Sequence, residues 1–481
     1  MSLTLQDQIR TAFRFHLMLR PLRVALYLVV PFLIGKFLVP EEYGVFTATF
    51  AVVTLVEGLC LPGVGPLLIR SASLEAASSL FWLALIVRMF ICLGFYGMAP
   101  HLSALLGLKD GAIYFQVLSV WFVLEGLRVI PDAILVRKLA YRTRFQIYAL
   151  ADLVGIAALA ILLYGGFGAW ALVGRLLFVS TTILLLSATA GNWRPRFEVR
   201  SEVMREFFSL NRDLTIVRLT NQYLSSIDSL LIVSLCGGAE AGLFGMAVKF
   251  VFLPLHHMLW PAGELLLPIG KATAKGDVAA LYFRYTQVSV FVCLPLLISL
   301  TFLADHLGAL LGSSWAALPP LIAPMSAVAV AFCFAPPASL YVLTHSSDLD
   351  SRLSIFEVFL VSAGIILGAH WGVWGAVSGM AASVACALAV RLPLTLKRIG
   401  IPFGRFYKEL KWVGAANILL ALALFGLRAS AGGVSSTWVL DLGCLGLCLS
   451  FYMLYFHKSE PFCILKDVLA IRLARHQKVP Q

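Results

Sequence analysis

Ten Lys and Arg residues fall inside long apolar runs: Arg20, Arg23, Arg88, Arg128, Arg175, Arg212, Arg218, Lys249, Arg284 and Arg391. A base at the centre of a bilayer costs about 2.5–3.5 kcal/mol on insertion scales. Each must therefore reach the interface, pair with an acid, or face a hydrated or anionic space. The chemistry open to the last group is anion capture, because a guanidinium offers parallel N–H donors that match an oxyanion. Spacing sorts the ten. Arg20, Arg23 and Tyr27 lie at i, i+3 and i+7, one helical stripe. Arg218, Gln222 and Ser225 form another, and Asn221, Ser225 and Asp228 a second on the same run. Arg88 has no acid within four residues, and Lys249 precedes His256, Trp260 and Glu264 at i+7, i+11 and i+15. Arg20, Arg23, Arg88, Arg218 and Lys249 are the candidates for lining a cationic cavity. The alternative for these positions is interhelical pairing with Glu57, Asp152, Asp228, Glu264 or Glu357.

The rest have simpler expectations. Arg212, Arg284 and Arg391 lie within two turns of one end of a run and are expected to snorkel. Arg128 sits between Glu125 and Asp132, at i−3 and i+4, and is expected to be neutralised within its own helix. Asp152, Asp228 and Glu264 are candidate ion-coupling carboxylates. No metal site and no cofactor is expected. The nine cysteines contain no CxxC pair and read as buried single thiols. His256 and His257 read as a packed pair at a bend near Pro254. Gly263 to Thr273 ends in Gly-Lys-Ala-Thr but lacks P-loop spacing, and Ala272 stands where Mg²⁺ needs a hydroxyl.

The elements that must hold these residues are membrane spans. Of 481 residues, 60% are hydrophobic and 13% charged, with net charge +12 and mean hydropathy +0.90. That is about half the usual charged fraction of a soluble domain, so the expectation is an all-α polytopic membrane protein. Runs of about 20 apolar residues occur near 16–38, 43–67, 79–100, 112–135, 145–164, 167–189, 211–236, 240–267, 281–304, 317–343, 352–369, 371–393, 409–428 and 436–456, about 14 spans. The first is too long for a signal peptide core and is expected to stay. Gly165-Gly166-Phe167-Gly168 and His370-Trp371-Gly372 predict two very tight turns. Of the 37 Lys and Arg, 24 fall in the N-terminus, the loops after even-numbered spans and the C-terminal tail. Three, Lys36, Lys109 and Arg428, fall on the other side. This asymmetry puts both termini in the cytoplasm. Spread among loops in this way, the bases face lipid headgroups and do not form a nucleic-acid surface.

One motif recurs. Glu42, Gly44 and Phe46 of Pro40-Glu-Glu-Tyr-Gly-Val-Phe46 match Glu240, Gly242 and Phe244 at an offset of 198, which also carries Arg14 onto Arg212 and Arg20 onto Arg218. Six spans separate the copies, which implies two six-helix lobes related by a pseudo-two-fold axis, plus two extra C-terminal helices. The expected layout is an N-lobe over 1–190, a cytoplasmic linker over 191–210, a C-lobe over 211–393, two further spans over 394–457 and a basic tail over 458–481.

Several segments carry a resemblance. Val39-Pro-Glu-Glu-Tyr-Gly-Val-Phe46 resembles the signature after the first span of bacterial polysaccharide and lipid-linked oligosaccharide flippases, the O-antigen and colanic acid-type exporters. Pro131 to Arg137 with Tyr141 to Phe145, Gly166 to Val173, Trp193-Arg-Pro195 and Ser225 to Ile232 are similar to later segments of that family. The family belongs to the multidrug/oligosaccharidyl-lipid/polysaccharide exporter superfamily. The resemblance covers the first half of the chain by motif and the second by architecture. It implies a non-enzymatic flippase of the bacterial inner membrane, moving an undecaprenyl-diphosphate-linked oligosaccharide from the cytoplasmic to the periplasmic leaflet by alternating access. It further implies membrane lipids, a coupling ion (proton or sodium) and polysaccharide polymerase machinery as partners. An ion-coupled multidrug exporter of the same superfamily would favour acids and aromatics where this chain has bases. A membrane glycosyltransferase would carry an acidic metal motif, and a non-transporting scaffold would not need the intramembrane charges.

Overall fold

A computed structural model describes residues 27–430, apart from 62, 71–75, 109, 139, 199, 260–262, 264, 265, 267–277 and 345, together with scattered positions between 441 and 450. Among the described residues all regular structure is helical. The chain divides into two compact units, 1–245 and 246–481.

In the first unit the helices are α1 (Tyr27–Phe37), α2 (Pro40–Glu57), α3 (Val64–Arg70), α4 (Ala76–Leu105), α5 (Gly111–Arg137), α6 (Tyr141–Tyr164), α7 (Trp170–Gly191), α8 (Ser201–Cys236) and the start of α9 (Gly238–Pro254). α4 packs along α5, α5 along α7, and α6 along α7. In the second unit a π-helical turn (Leu255–Leu259) follows α9, then come α10 (Val278–Phe302), α11 (Ala304–Leu311), α12 (Pro319–Phe334), α13 (Ala338–Leu343), α14 (Ser347–Gly368), α15 (Gly372–Ile399) and α16 (Phe403–Ser430).

Seven helical stretches among the described residues are long and apolar enough to cross a membrane, and the last of these, 348–399, contains both α14 and α15. The protein is a multi-span membrane protein. Its outer apolar side chains are exposed, as lipid contact requires: Phe90, Leu93, Ile161, Phe359 and Leu422 are examples. The two tight turns form where the glycines predict. Gly166, Gly168 and Gly372 take positive φ values of 77°, 55° and 72°, the left-handed region that a side chain resists.

Other expectations change in detail. The expected span over 43–67 is broken. α2 stops at Glu57 and turns through residues 58–60, and α3 begins at Val64, after Pro62-Gly63 in the sequence. The expected linker over 191–210 is extended only to Arg200, and α8 begins at Ser201. With 36 residues at about 1.5 Å each, α8 is about 54 Å long, well beyond a hydrocarbon core of about 30 Å. The segment ahead of α8 lies against the start of α4: Trp82 Nε1 donates to the Arg196 carbonyl at 2.9 Å, Ser79 Oγ donates to that of Glu198 at 2.9 Å, and Trp82 stacks on Phe197. The run over 240–267 bends after Pro254 into the π turn that holds His256 and His257. The run over 317–343 parts at Ala335-Pro336-Pro337, and most of the expected span over 436–456 lies outside the described residues. Cys60, Cys293 and Cys333 are buried thiols, whereas Cys386 is exposed on α15.

Two close helix contacts carry the glycine motifs. In the second unit, Gly364 and Gly368 of α14 meet Gly379 and Gly375 of α15 main chain to main chain, so a Cβ on any of them would overlap a facing backbone carbonyl. In the first unit the recurring motif meets its own copy. A Cβ on Gly44 would overlap the Gly238 carbonyl, and a Cβ on Gly242 would overlap that of Pro40.

Candidate functional site

After α2 the N–H groups of Gly58, Leu59 and Cys60 close onto its last carbonyls in a turn, which leaves the Cys60 carbonyl between the two helices. Arg88, from the middle of α4, enters this gap. Its Nη1 and Nη2 donate to Glu57 Oε2 and Oε1 at 3.1 and 2.8 Å, and Nη2 also donates to the Cys60 carbonyl at 3.2 Å. The side chain is 5% exposed. Gly126 of α5 makes its room: a Cβ there would stand 2.9 Å from Arg88 Cδ. Asn211 of α8 closes the same break by accepting from the Gly63 N–H at 3.0 Å. Arg88 is thus a paired cation in this conformation, the alternative that the sequence left open.

A second cluster lies between α5, α6 and α7. Arg128 pairs with Glu125 one turn before it, as expected. Asp132 does not take Arg128. Arg144, at the start of the next helix, reaches it first, with Nε and Nη2 on its two oxygens at 2.8 and 3.0 Å. The Tyr148 hydroxyl joins the two pairs, accepting from Arg128 at 3.1 Å and Arg144 at 3.2 Å and donating to Asp132 at 3.2 Å. Ser180 of α7 donates to the other oxygen of Glu125 at 3.0 Å and accepts from Trp121 at 2.9 Å.

The candidate coupling residue Asp152, buried at 8% exposure on α6, accepts from the Tyr27 hydroxyl at 3.3 Å. Tyr27 opens α1 and is the third member of the sequence spacing that begins with Arg20 and Arg23. Arg20, Arg23 and Glu264 lie outside the described residues. Arg218 lies on α8, with its side chain outside the description. Asp228, half-buried further along α8, accepts from the Ser229 N–H at 2.7 Å, and Lys249 is half-buried on α9.

Arg391 departs from its expectation. It does not snorkel. It is held against α14, donating to Ser354 at 2.8 Å and Asp350 at 3.2 Å, with Glu357 at 3.7 Å. Arg391 and these three partners share one face between α14 and α15, so pairing is nearer than the interface. Arg284 is exposed, as a snorkelling base would be.

Spacing singled out neither Arg175 nor the glycines that seat the guanidiniums. Arg175 stands on the second turn of α7 with its Nε buried and without a hydrogen-bond partner. Its position in an apolar run was the only signal available.

A family model described as polysaccharide biosynthesis protein matches residues 33–320. The chain belongs to this family. It is 25% identical over 311 residues to the succinoglycan biosynthesis transport protein ExoT of Rhizobium meliloti, covering 62% of this chain and 61% of that one. It is 23% identical over 275 residues to the teichuronic acid biosynthesis protein TuaB of Bacillus subtilis, covering 56% and 57%. The chain thus spans about three fifths of the length of these curated relatives. Among solved structures it is similar to the lipid II flippase MurJ in an inward closed conformation, with TM-score 0.67, 13% identity and coverage of 90% of this chain and 97% of that one. It is similar also to an inward-facing multidrug resistance MATE family transporter of the MOP superfamily, with TM-score 0.63, 17% identity and coverage of 78% and 94%. These similarities show the fold. The family places the chain in polysaccharide biosynthesis, and the described helices supply the membrane-embedded body.

Proposed function

We propose that the protein is a flippase. Its substrate is an undecaprenyl-diphosphate-linked oligosaccharide, which it moves from the cytoplasmic to the periplasmic leaflet for a surface or extracellular polysaccharide. The family match over residues 33–320 carries this reading. The bases within apolar runs suit an anionic head, since guanidinium binds phosphate oxygens through paired N–H donors. Arg20, Arg23, Arg88, Arg218 and Lys249 form the substrate-binding set, and Asp152, Asp228 and Glu264 the coupling set, driven by protons or sodium. Arg88 enters that set only by giving up Glu57 in another conformation. Two six-helix lobes rock in alternating access within the inner membrane, with both termini cytoplasmic and the lipid tail left in the bilayer.

The test is deletion of the gene, with lipid-diphosphate-linked repeat units counted on each leaflet. The expected outcome is their accumulation on the cytoplasmic side. Arg20→Ala and Arg218→Ala should each reproduce the deletion with protein levels unchanged, and full export by both would remove those two residues from the set. A drug-sensitivity phenotype with normal surface glycan would instead assign the protein as an ion-coupled multidrug exporter.

A further inference from the structure

Among the in-span arginines of the first unit whose side chains are described, Arg175 is the one that the acid pairs leave over. Arg88 has Glu57, Arg128 has Glu125, and Arg144, at the mouth of its helix, has Asp132. Arg175 is half-buried, and its Nε is sealed without an acceptor, as are those of Arg88 and Arg391; unlike those two, it makes no ion pair or hydrogen bond among the described residues. Its stem crosses α6 at Gly155, where a Cβ would stand 3.5 Å from Arg175 Cγ and overlap Val179. The groups that share its electrostatic surroundings are two phenols and one carboxylate, from Tyr27, Tyr43 and Asp152. Tyr43 is 2% exposed, and the Tyr27 hydroxyl is turned onto Asp152.

A half-buried guanidinium in an apolar helix with no partner of its own is an arrangement folded chains avoid. It is tolerable where a counter-ion arrives from outside. The guanidinium fork fits an oxyanion. Asp152, one turn before Gly155 on the same helix, is the carboxylate near it among the described residues, so a ligand oxyanion and Asp152 compete for one cation. In the orientation set by the loop charges, α7 starts on the side away from the termini. Five residues in, at about 1.5 Å each, Arg175 stands about 7.5 Å from that end, on the side where a substrate head would leave.

We propose that Arg175 captures an oxyanion of the transported substrate, and that Asp152 competes with the bound oxyanion for the same guanidinium and so promotes its release. This rests on the reading of the protein as a carrier of an anionic lipid head. A diphosphate and the carboxylate of an acidic sugar share the chemistry.

The test uses the full chain in lipid nanodiscs and two probes, farnesyl diphosphate and octyl glucuronide, with binding measured by calorimetry and folding by thermal midpoint. The probe that binds names the source of the oxyanion. Arg175→Gln should weaken its binding about tenfold or more, the worth of a charge-assisted hydrogen-bond pair, with the midpoint unchanged. Arg175→Lys should recover part of the loss. Asp152→Asn should bind the probe more tightly than the unaltered chain, the opposite sign. Undiminished binding by Arg175→Gln overturns the inference and leaves the flippase reading intact. Loss of binding and a lowered midpoint in both the Arg175→Gln and Asp152→Asn variants also overturns it, because that is how a structural ion pair behaves. Failure of the unaltered chain to bind either probe removes the flippase reading and the inference with it.

Discussion

Arg88 and Arg175 are guanidiniums in apolar helices of the same unit, and each is seated by a glycine on a neighbouring helix, Gly126 for Arg88 and Gly155 for Arg175. Beyond that they part. Arg88 meets a carboxylate with both terminal nitrogens and a freed carbonyl with one of them. Both leave a buried Nε without a partner, but among the described residues Arg175 makes no ion pair or hydrogen bond through its terminal nitrogens either. The first arrangement is self-sufficient: its charge is cancelled where it stands, and its partners are the product of a broken helix. The second has no such pair among the described residues. The contrast shows that an in-span base need not announce a substrate site. What matters is whether the fold itself supplies the counter-charge.

The largest expected effect comes from cutting the complete pair. Glu57→Ala leaves Arg88 buried and alone and should destabilise the unit by about 3–5 kcal/mol, read as a lowered midpoint in denaturant or heat. The double variant Glu57→Leu with Arg88→Met should lose much less, since neither charge remains. Equal losses would show that packing, not charge, holds the break. Next is Gly126→Ala, which forces Arg88 Cδ aside while its head is fixed at both ends, at about 1–3 kcal/mol. Tyr148→Phe removes the hydroxyl shared by Arg128, Arg144 and Asp132 and should cost about 1 kcal/mol, with the direct Arg144–Asp132 pair surviving. The smallest effect belongs to Arg175→Gln, expected within about 0.5 kcal/mol of the unaltered chain. A loss as large as that of Glu57→Ala would erase the distinction between the two arginines.

What could be read from the sequence followed the distance between partners along the chain. Arg128 and Glu125 are three apart on one helix, and their pair was legible from helical geometry. Glu57 and Arg88 are 31 apart on different helices, so spacing offered Glu57 only as one partner among five. Asp132 was assigned to its own helix, but the turn after α5 brings Arg144 back onto it. Arg391 looked free to snorkel because Asp350 and Glu357 lie on the preceding helix, across the tight turn at Ala369–Trp371. The spans were legible because apolar runs of this length have few other uses. Their interruptions were less so. Pro62-Gly63 and Pro336-Pro337 were in view, yet hydropathy averages over them, and the π turn after Pro254 has no hydropathy signal at all. Arg175 could be counted as an in-span base but not ranked, since being unpaired is a property of three-dimensional neighbours.

The meeting of Gly44 with Gly242 has a consequence for how the chain can vary. Pro40 and Gly44 face Gly238 and Gly242 so that each half of the contact repeats the other. That reciprocity is what two identical subunits show across a two-fold axis, here written into one polypeptide. The obstacle each glycine faces is a main-chain oxygen, which every amino acid carries. A larger residue at 44 therefore has no suppressor among side chains at 238, nor one at 242 among those at 40, and each glycine is held in place by an atom that mutation cannot remove.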